Sequence, residues 1–313
     1  MAGYLQSLIE LPELAAPSPM ATLRVPHAPK QKMRPLEMII DTHVHIVAPD
    51  QHRYPRKLAP ANSAWVTDMP GETMLDLMDE VGIDRAMLVQ AHSAYEYDNN
   101  YIADFALKRP QRFVSVCIVD PTRPDAPEQL TYWVKERGVR GLRLFPAAER
   151  DPQWLDDQRT FPLWERAAAM DIPVCVCLRF RQLPRLCIVI KRYPQVRVAL
   201  DHLGSPRLED GPPFEKAAPL FDLVKLPNVY LKFSTVNLYA AAMGKSTPEA
   251  FFGRLLNVFG ARRMMWGSNF PNTNDRSLKE QLGLALDKLS FLPEADHRWL
   301  FADTARSLWP MLG

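Results

Sequence analysis

Eight short runs of apolar and β-branched residues recur along this chain, and stretches of helical length separate them. This alternation is the feature that most restricts the fold. The runs cover residues 38–46, 85–91, 113–119, 139–145, 172–178, 196–203, 228–234 and 264–270. Amphipathic helical patterns cover residues 72–81, 99–108, 128–137, 161–170, 182–192 and 278–289. Strands that alternate with helices predict a parallel sheet, and eight such units favour a (β/α)8 TIM barrel over an open sheet.

The glycine positions agree with a barrel and disfavour a dinucleotide-binding sheet. Gly82, Gly138 and Gly260 each follow an apolar-periodic segment, which is where a left-handed residue commonly ends a helix. The chain has only 13 glycines, and the GxGxxG motif that approaches a pyrophosphate does not follow the first run.

Residues 1–35 differ from the rest of the chain because they carry six prolines and no clear period. We expect an N-terminal extension outside the core, followed by the barrel over residues 36–313. Glu10 and Glu13 interrupt the apolar stretch near the N-terminus, which argues against a secretory signal. No apolar run approaches the ~18 residues that cross a bilayer, and the four cysteines suit reduced, buried thiols. The sequence therefore predicts a cytoplasmic protein with no membrane partner.

The charge balance points to a small-molecule partner. The chain has 38 Lys and Arg against 36 Asp and Glu, a net charge of +2, and no run of basic residues. Because nucleic acids are bound by basic patches, we expect no nucleic-acid partner. A homodimer is expected only because dimers are the commonest assemblies.

Polar residues at three run ends are candidates for a site, because the active site of such a barrel lies at the carboxyl ends of its strands. The first run ends in His43 and His45, which share one face of a strand. Two imidazoles side by side suit one divalent metal, although a lone HxH is more often a packed pair. The sixth run ends in Asp201 and His202, and the eighth run leads into Asn269.

Three ordered motifs, HxH after the first run, DHLGxP after the sixth and WGSxFP after the eighth, resemble the amidohydrolase superfamily. The resemblance is to its amidohydrolase-related branch and covers about residues 38–310. Within that branch the chain looks most similar to the lactonase group that includes 2-pyrone-4,6-dicarboxylate lactonase. The resemblance implies a TIM-barrel enzyme with its site at these motifs.

The resemblance also implies roles for individual residues. His43 and His45 match metal ligands, and His202 matches a residue that either joins the metal site or contacts substrate and water. Asn269 stands where the family pattern has an aspartate, the usual general base, and an amide cannot accept that proton. Cys177 stands where metal-binding members often have a histidine; it is either a fourth ligand or a buried apolar residue. A zinc or manganese ion is therefore a possibility, and so is a metal-free enzyme, since the lactonase group includes such enzymes.

Cationic residues near the predicted strand ends favour an anionic substrate. Arg143 on the fourth run, Arg179 after the fifth and Lys232 on the seventh are candidate substrate-binding residues. Gln90 ends the second run, and Tyr95 lies in the loop that follows, where a flat side chain suits a planar ring. The alternative is that these cations form structural ion pairs.

We expect hydrolysis of a lactone, or of a related cyclic ester or amide, in a small carboxylated substrate. Arg143 would hold the carboxylate, and His43 and His45 would polarise the carbonyl directly or through a metal. His202 would orient or deprotonate water, and Asn269 would position the water or donate to the oxyanion. One alternative is a metal-dependent decarboxylase of an aromatic or unsaturated acid. The other is a non-catalytic barrel.

Overall fold

Eight parallel strands form the centre of the computed structural model, which describes residues 36–57, 64–149, 151–272 and 276–313. In chain order they are β1 Ile40–Val44, β2 Arg85–Val89, β3 Phe113–Ile118, β4 Leu142–Leu144, β5 Val174–Val176, β6 Val198–Leu200, β7 Val229–Phe233 and β8 Met264–Trp266. Each strand pairs with the next one along the chain. Every strand falls inside a run predicted from the sequence.

Helices cover the outside of the sheet. In chain order they are α1 Gly71–Val81, α2 His92–Tyr95, α3 Asn100–Lys108, α4 Ala126–Lys135, α5 Phe161–Ala169, α6 Leu183–Arg192, α7 Ala218–Asp222, α8 Thr235–Ala241, α9 Pro248–Phe259, α10 Leu278–Lys288, α11 Glu294–Arg298 and α12 Thr304–Leu308. Local chemistry sets several ends: Gly82 ends α1 at a φ of 75°, and a capping box from Ser277 to Glu280 begins α10. The part of the chain that the structure describes has no helix long and apolar enough to cross a membrane.

The sheet closes between its first and last strands. The segment after β8 bridges to β1 in parallel at Val44 and Phe270, and the His45 amide donates to the Phe270 carbonyl at 2.8 Å. The predicted TIM barrel is confirmed. The predicted extension, residues 1–35, lies outside the described residues.

The interior of the barrel changes from apolar to polar towards its carboxyl end. Apolar side chains of several strands, among them Ile40 on β1 and Met265 on β8, pack with the C-terminal Trp309 at the other end. Inward positions then alternate along each strand, so that Cys175 on β5 is followed by Cys177 just after that strand. Lys232 on β7 is followed by Ser234 just after it. The polar residues are therefore brought together at the barrel mouth.

Candidate active site

Three histidines meet at the carboxyl end of the barrel. The ring of His43 lies 5.0 Å from that of His45 and 4.8 Å from that of His202, between ring centroids. All three are buried. Burial lowers the pKa of His43 well below its usual value, that of His45 to about 3 and that of His202 to about 4. At neutral pH the cluster is therefore uncharged.

A backbone carbonyl fixes the tautomer of His45. Its Nδ1 lies 2.8 Å from the Val89 carbonyl oxygen, which can only accept a hydrogen bond, so Nδ1 carries the proton. In the neutral ring, Nε2 is then an acceptor. His45 in this state cannot donate to a substrate carbonyl, which disfavours the direct polarisation expected as one alternative from the sequence, but it can take a proton from water.

His202 is held in a left-handed backbone conformation that non-glycine residues rarely adopt. Its φ is 53° and its ψ is 32°, and strained residues of this kind cluster at functional sites. The side-chain amide of Asn237 donates to the His202 carbonyl at 2.8 Å. The Nδ1 of His202 lies 2.7 Å from the Ser234 hydroxyl. Sequence analysis did not assign Ser234, although it ends the VYLKFS segment.

Asn269 also has a left-handed backbone, with a φ of 66°. Its backbone N–H donates to the His43 carbonyl at 2.8 Å, and its side chain faces the His45 ring. The Oδ1 atom is buried and has no hydrogen-bond partner among the described residues. This oxygen is therefore a buried acceptor without a donor in the described part of the chain, and Asn269 is not among the described residues that line the cavity at this mouth.

A buried carboxylate joins the first strand to the segment after the last. Oδ1 of Asp41 accepts from the His43 N–H at 3.0 Å and from the Ser268 N–H at 2.8 Å. Burial raises the pKa of Asp41 to about 6 despite these hydrogen bonds. Asp41 thus fixes the HxH segment against the segment that carries Asn269, a role that the DTHVH motif alone did not reveal.

Beneath the histidines, two cations share one carboxylate. Asp201 accepts from Arg143 Nε at 3.1 Å and lies 3.4 Å from Lys232 Nζ; its other near neighbour is His43, 3.6 Å away. Burial opposes ionisation of Asp201, but the charge of Lys232, with His43 and Arg143, holds its pKa well below the usual value. The sequence predicted the cations and left their shared partner unassigned.

A small cavity opens at this mouth. Four residues singled out from the sequence line it: His45, Arg143, Cys177 and His202. The remaining lining residues are Trp65, Ala91, His92, Ser93, Phe145 and Asn272. Its volume is about 10 Å³, which is room for about one water molecule. A larger substrate must therefore displace part of the wall.

Other predicted residues lie behind the wall. The Tyr95 hydroxyl accepts from the Ala48 N–H at 2.7 Å, and Arg179 Nε donates to the Ala147 carbonyl at 3.1 Å. The Gln90 side chain donates to the Asp98 backbone carbonyl, and the backbone carbonyl of Gln90 accepts from Arg143. Lys232 lies below the histidines with Asp201. Tyr95, Arg179, Gln90 and Lys232 do not line the cavity. Their polar side-chain atoms are hydrogen-bonded or ion-paired to backbone or buried groups.

The residues present do not suit a divalent metal. No group of three or more His, Cys, Asp or Glu in the described ranges is arranged to hold one. Burial raises the pKa of the Cys177 thiol to about 12, so it is protonated, and Asn269 is neutral. One carboxylate, Asp201, faces two cations, Arg143 and Lys232, which leaves a net positive charge that a dication would meet.

Comparison with known proteins shows the family to which the chain belongs. Residues 40–311 match the model of the family described as Amidohydrolase. The chain is 27% identical to the L-fucono-1,5-lactonase of Burkholderia ambifaria over 236 residues, 74% of this chain and 80% of the relative. It is 24% identical to the 4-sulfomuconolactone hydrolase of Rhizobium radiobacter over 269 residues, 82% of this chain and 85% of the relative.

Solved structures share the fold. A Pseudomonas putida protein named as a 2-pyrone-4,6-dicarboxylic acid hydrolase aligns with a TM-score of 0.72 and 23% identity, over 88% of this chain and 98% of the other. An amidohydrolase of Burkholderia multivorans with bound zinc also gives 0.72 at 23% identity, over 87% and 99%. The 2,6-dihydroxybenzoate decarboxylase of Rhizobium gives 0.64 at 17% identity, over 89% and 100%. At these identities the likeness shows the fold alone.

Proposed function

Because the chain belongs to the amidohydrolase family, we propose that it is a hydrolase that opens the lactone ring of a small carboxylated substrate. The observation that carries this proposal is the acceptor nitrogen of His45, which the Val89 carbonyl fixes beside Asn269 and the barrel mouth. The names of the lactone-acting relatives support the same substrate class.

Water is activated by His45 and Asn269 acting as a pair. Oδ1 of Asn269, a buried oxygen without a donor among the described residues, would accept one hydrogen of the water once substrate displaces part of the wall, while His45 Nε2 takes the proton as the water oxygen attacks the lactone carbonyl. Positioned bases of this kind contribute roughly 10²–10⁴-fold to rate. The low pKa of His45, about 3, makes it a weak base, so alignment of the water matters more than base strength.

The carbonyl and the substrate carboxylate face the opposite wall. Arg143 carries the positive charge among the described residues that line the cavity, and its guanidinium is oriented by Asp201 and the Gln90 carbonyl. In the tautomer in which the Ser234 hydroxyl donates to Nδ1 of His202, its Nε2–H donates to the developing oxyanion. Water adds across the ester bond, and the products are a carboxylate, a hydroxyl group and a proton.

No step of this mechanism involves a metal. The zinc or manganese ion expected as a possibility from the sequence finds no suitable donor set here, since Asp201 is committed to two cations. The decarboxylase alternative, which requires a metal, is supported only by a shared fold at 17% identity. Roles for His43 and Cys177 as ligands, and for Gln90, Tyr95, Arg179 and Lys232 as substrate contacts, do not enter the proposal.

A panel of five- and six-membered lactones with one carboxylate tests the proposal, with proton release followed by a pH indicator and carbon dioxide measured in parallel. We expect proton release without carbon dioxide, and a loss of at least about 100-fold in kcat/KM for His45→Gln. His52→Gln, at an exposed histidine, is the matched control. Carbon dioxide release, or equal activity of the two variants, would overturn the proposal.

The expected cytoplasmic location and homodimer stay predictions of the sequence.

A further inference from the structure

A second and larger cavity adjoins the catalytic cavity. Its volume is about 180 Å³, against about 10 Å³ for the catalytic cavity. Two side chains, His92 and Phe145, line both cavities. They therefore form the partition between the reacting groups and a space that the proposed mechanism has not used.

The partition consists of two aromatic rings. The ring centroids of His92 and Phe145 are 5.1 Å apart, and the guanidinium of Arg143 lies 4.8 Å from the centroid of Phe145. Both side chains are only partly buried, so a change of rotamer does not require unpacking of the core. Because the catalytic cavity by itself admits about one water, a substrate whose carbonyl reaches His45 must extend past these rings.

The walls of the second cavity are apolar and aromatic. Ile118, Val119 and Pro121 line its inner side, and Tyr97 and Trp154 line its outer side. No lysine or arginine is among the described residues that line it. Such walls suit a ring or alkyl group and offer no countercharge to an anion.

The rim of this cavity is acidic. Glu149 lines it and accepts from the Trp154 indole N–H at 2.7 Å. Burial raises the pKa of the Tyr97 hydroxyl to about 12, and the nearby negative charges of Asp120 and Glu149 add to this increase. A second carboxylate or a sulfonate on the substrate would be repelled at this rim.

We propose that the second cavity binds an uncharged, ring-sized apolar substituent of the lactone, and that the enzyme therefore prefers monoanionic over dianionic lactones. This inference rests on the proposed function and specifies its substrate class. The substrate carboxylate lies on the Arg143 side of the partition, and the apolar group lies on the side of Tyr97 and Trp154.

Three lactones test the inference: a γ-lactone monocarboxylate, its phenyl-substituted analogue and a γ-lactone dicarboxylate. For the wild type we expect kcat/KM to be at least about ten-fold higher for the phenyl compound than for the unsubstituted one, and lowest for the dicarboxylate. Ala148→Trp places bulk at the exposed rim and should reduce the phenyl preference by about ten-fold. Ala169→Trp, at the exposed end of α5 and outside both linings, should leave the preference unchanged.

A charge variant supplies an independent readout. Glu149→Gln keeps an acceptor for Trp154 but removes the negative charge, so activity on the dicarboxylate should rise about three-fold or more relative to the monocarboxylate. If the wild type opens the unsubstituted lactone but neither ratio moves in these variants, the second cavity is not a subsite and the proposed function stands. If no lactone is opened, the proposed function fails and this inference fails with it.

Discussion

The ammonium group of Lys232 lies 3.4 Å from the carboxylate of Asp201, at the centre of a barrel that buries both side chains completely. Arg143 shares the same carboxylate at 3.1 Å. Lys232 also donates to the Thr42 carbonyl at 3.1 Å, which ties β7 to β1. Asp201 and Lys232 lie beneath the histidines, and Arg143 is the member of this cluster that lines the catalytic cavity.

Removal of the shared carboxylate should cost more stability than removal of one cation. Asp201→Asn leaves both Arg143 and Lys232 buried without a countercharge, and we expect a loss of roughly 3–5 kcal/mol in the free energy of unfolding. Lys232→Met leaves the Arg143 pair intact and should cost less. Urea unfolding of the two variants at pH 7 measures the order, and the reverse order would contradict this account of the cluster.

Gly267 should be intolerant of a side chain. A Cβ at this position would lie 2.7 Å from the His43 Cβ and 2.9 Å from the His43 backbone nitrogen, so the segment after β8 would have to move away from the HxH segment. We expect Gly267→Ala to lower kcat/KM by at least about ten-fold, since small misplacements of catalytic groups are costly. Gly283→Ala, on α10 with open space around its Cβ, is the control and should retain full activity. Equal activity of the two variants would contradict the close approach of position 267 to His43.

Asn269 should prove essential as an amide and improvable as a carboxylate. Asn269→Ala removes the oxygen that holds water, and we expect kcat/KM to fall by about 100-fold. Asn269→Asp places a negative charge beside His45, which strengthens that base, and activity should rise. Steady-state kinetics on one lactone compares all three proteins. If Asn269→Asp neither raises activity nor binds metal more tightly, Asn269 does not occupy the base position of the family.

The site histidines should make the fold less stable in acid. Their pKa values lie below the ordinary 6.5, at about 3 for His45 and about 4 for His202. As the pH falls below 6.5, the unfolded chain binds protons that the folded chain excludes, and stability decreases towards pH 4. The pKa of Asp41 is raised from 3.8 to about 6, so protonation of Asp41 favours the folded state and adds stability as the pH falls from about 6 to 3.8. Unfolding free energies at pH 7 and pH 5 should differ less in His202→Asn than in the wild type, and an unchanged difference would contradict the assignment.

The protein purified without a histidine tag or added metal should contain far less than one equivalent of zinc or manganese. The reason is the commitment of Asp201 to two cations and the protonated state of Cys177. Elemental mass spectrometry provides the measurement, with activity before and after chelation as a second readout. One equivalent of metal that is lost in His45→Ala would show that the cluster rearranges to bind it.

Much of the fold could be read from the sequence, because strand and helix periods are local properties. The eight observed strands lie within the eight predicted runs, although β4, β5, β6 and β8 are only three residues long. The apolar pattern marks the buried length of each segment, whereas hydrogen bonding to both neighbours sets the shorter strand. The exact ends of the strands could therefore be located only in the closed sheet.

The site divides in the same way. The sequence by itself determined which chemistry is present near the strand ends: His43, His45, His202, Asn269 and Arg143. Of these, His45, His202 and Arg143 line the cavity, whereas His43 and Asn269 are buried beside it. Only the tertiary structure decided what each can do. The Val89 carbonyl makes His45 an acceptor, and the Ala48 amide occupies Tyr95. These partners are distant in sequence, and a proton position or a pKa depends on the groups that folding brings within hydrogen-bonding distance.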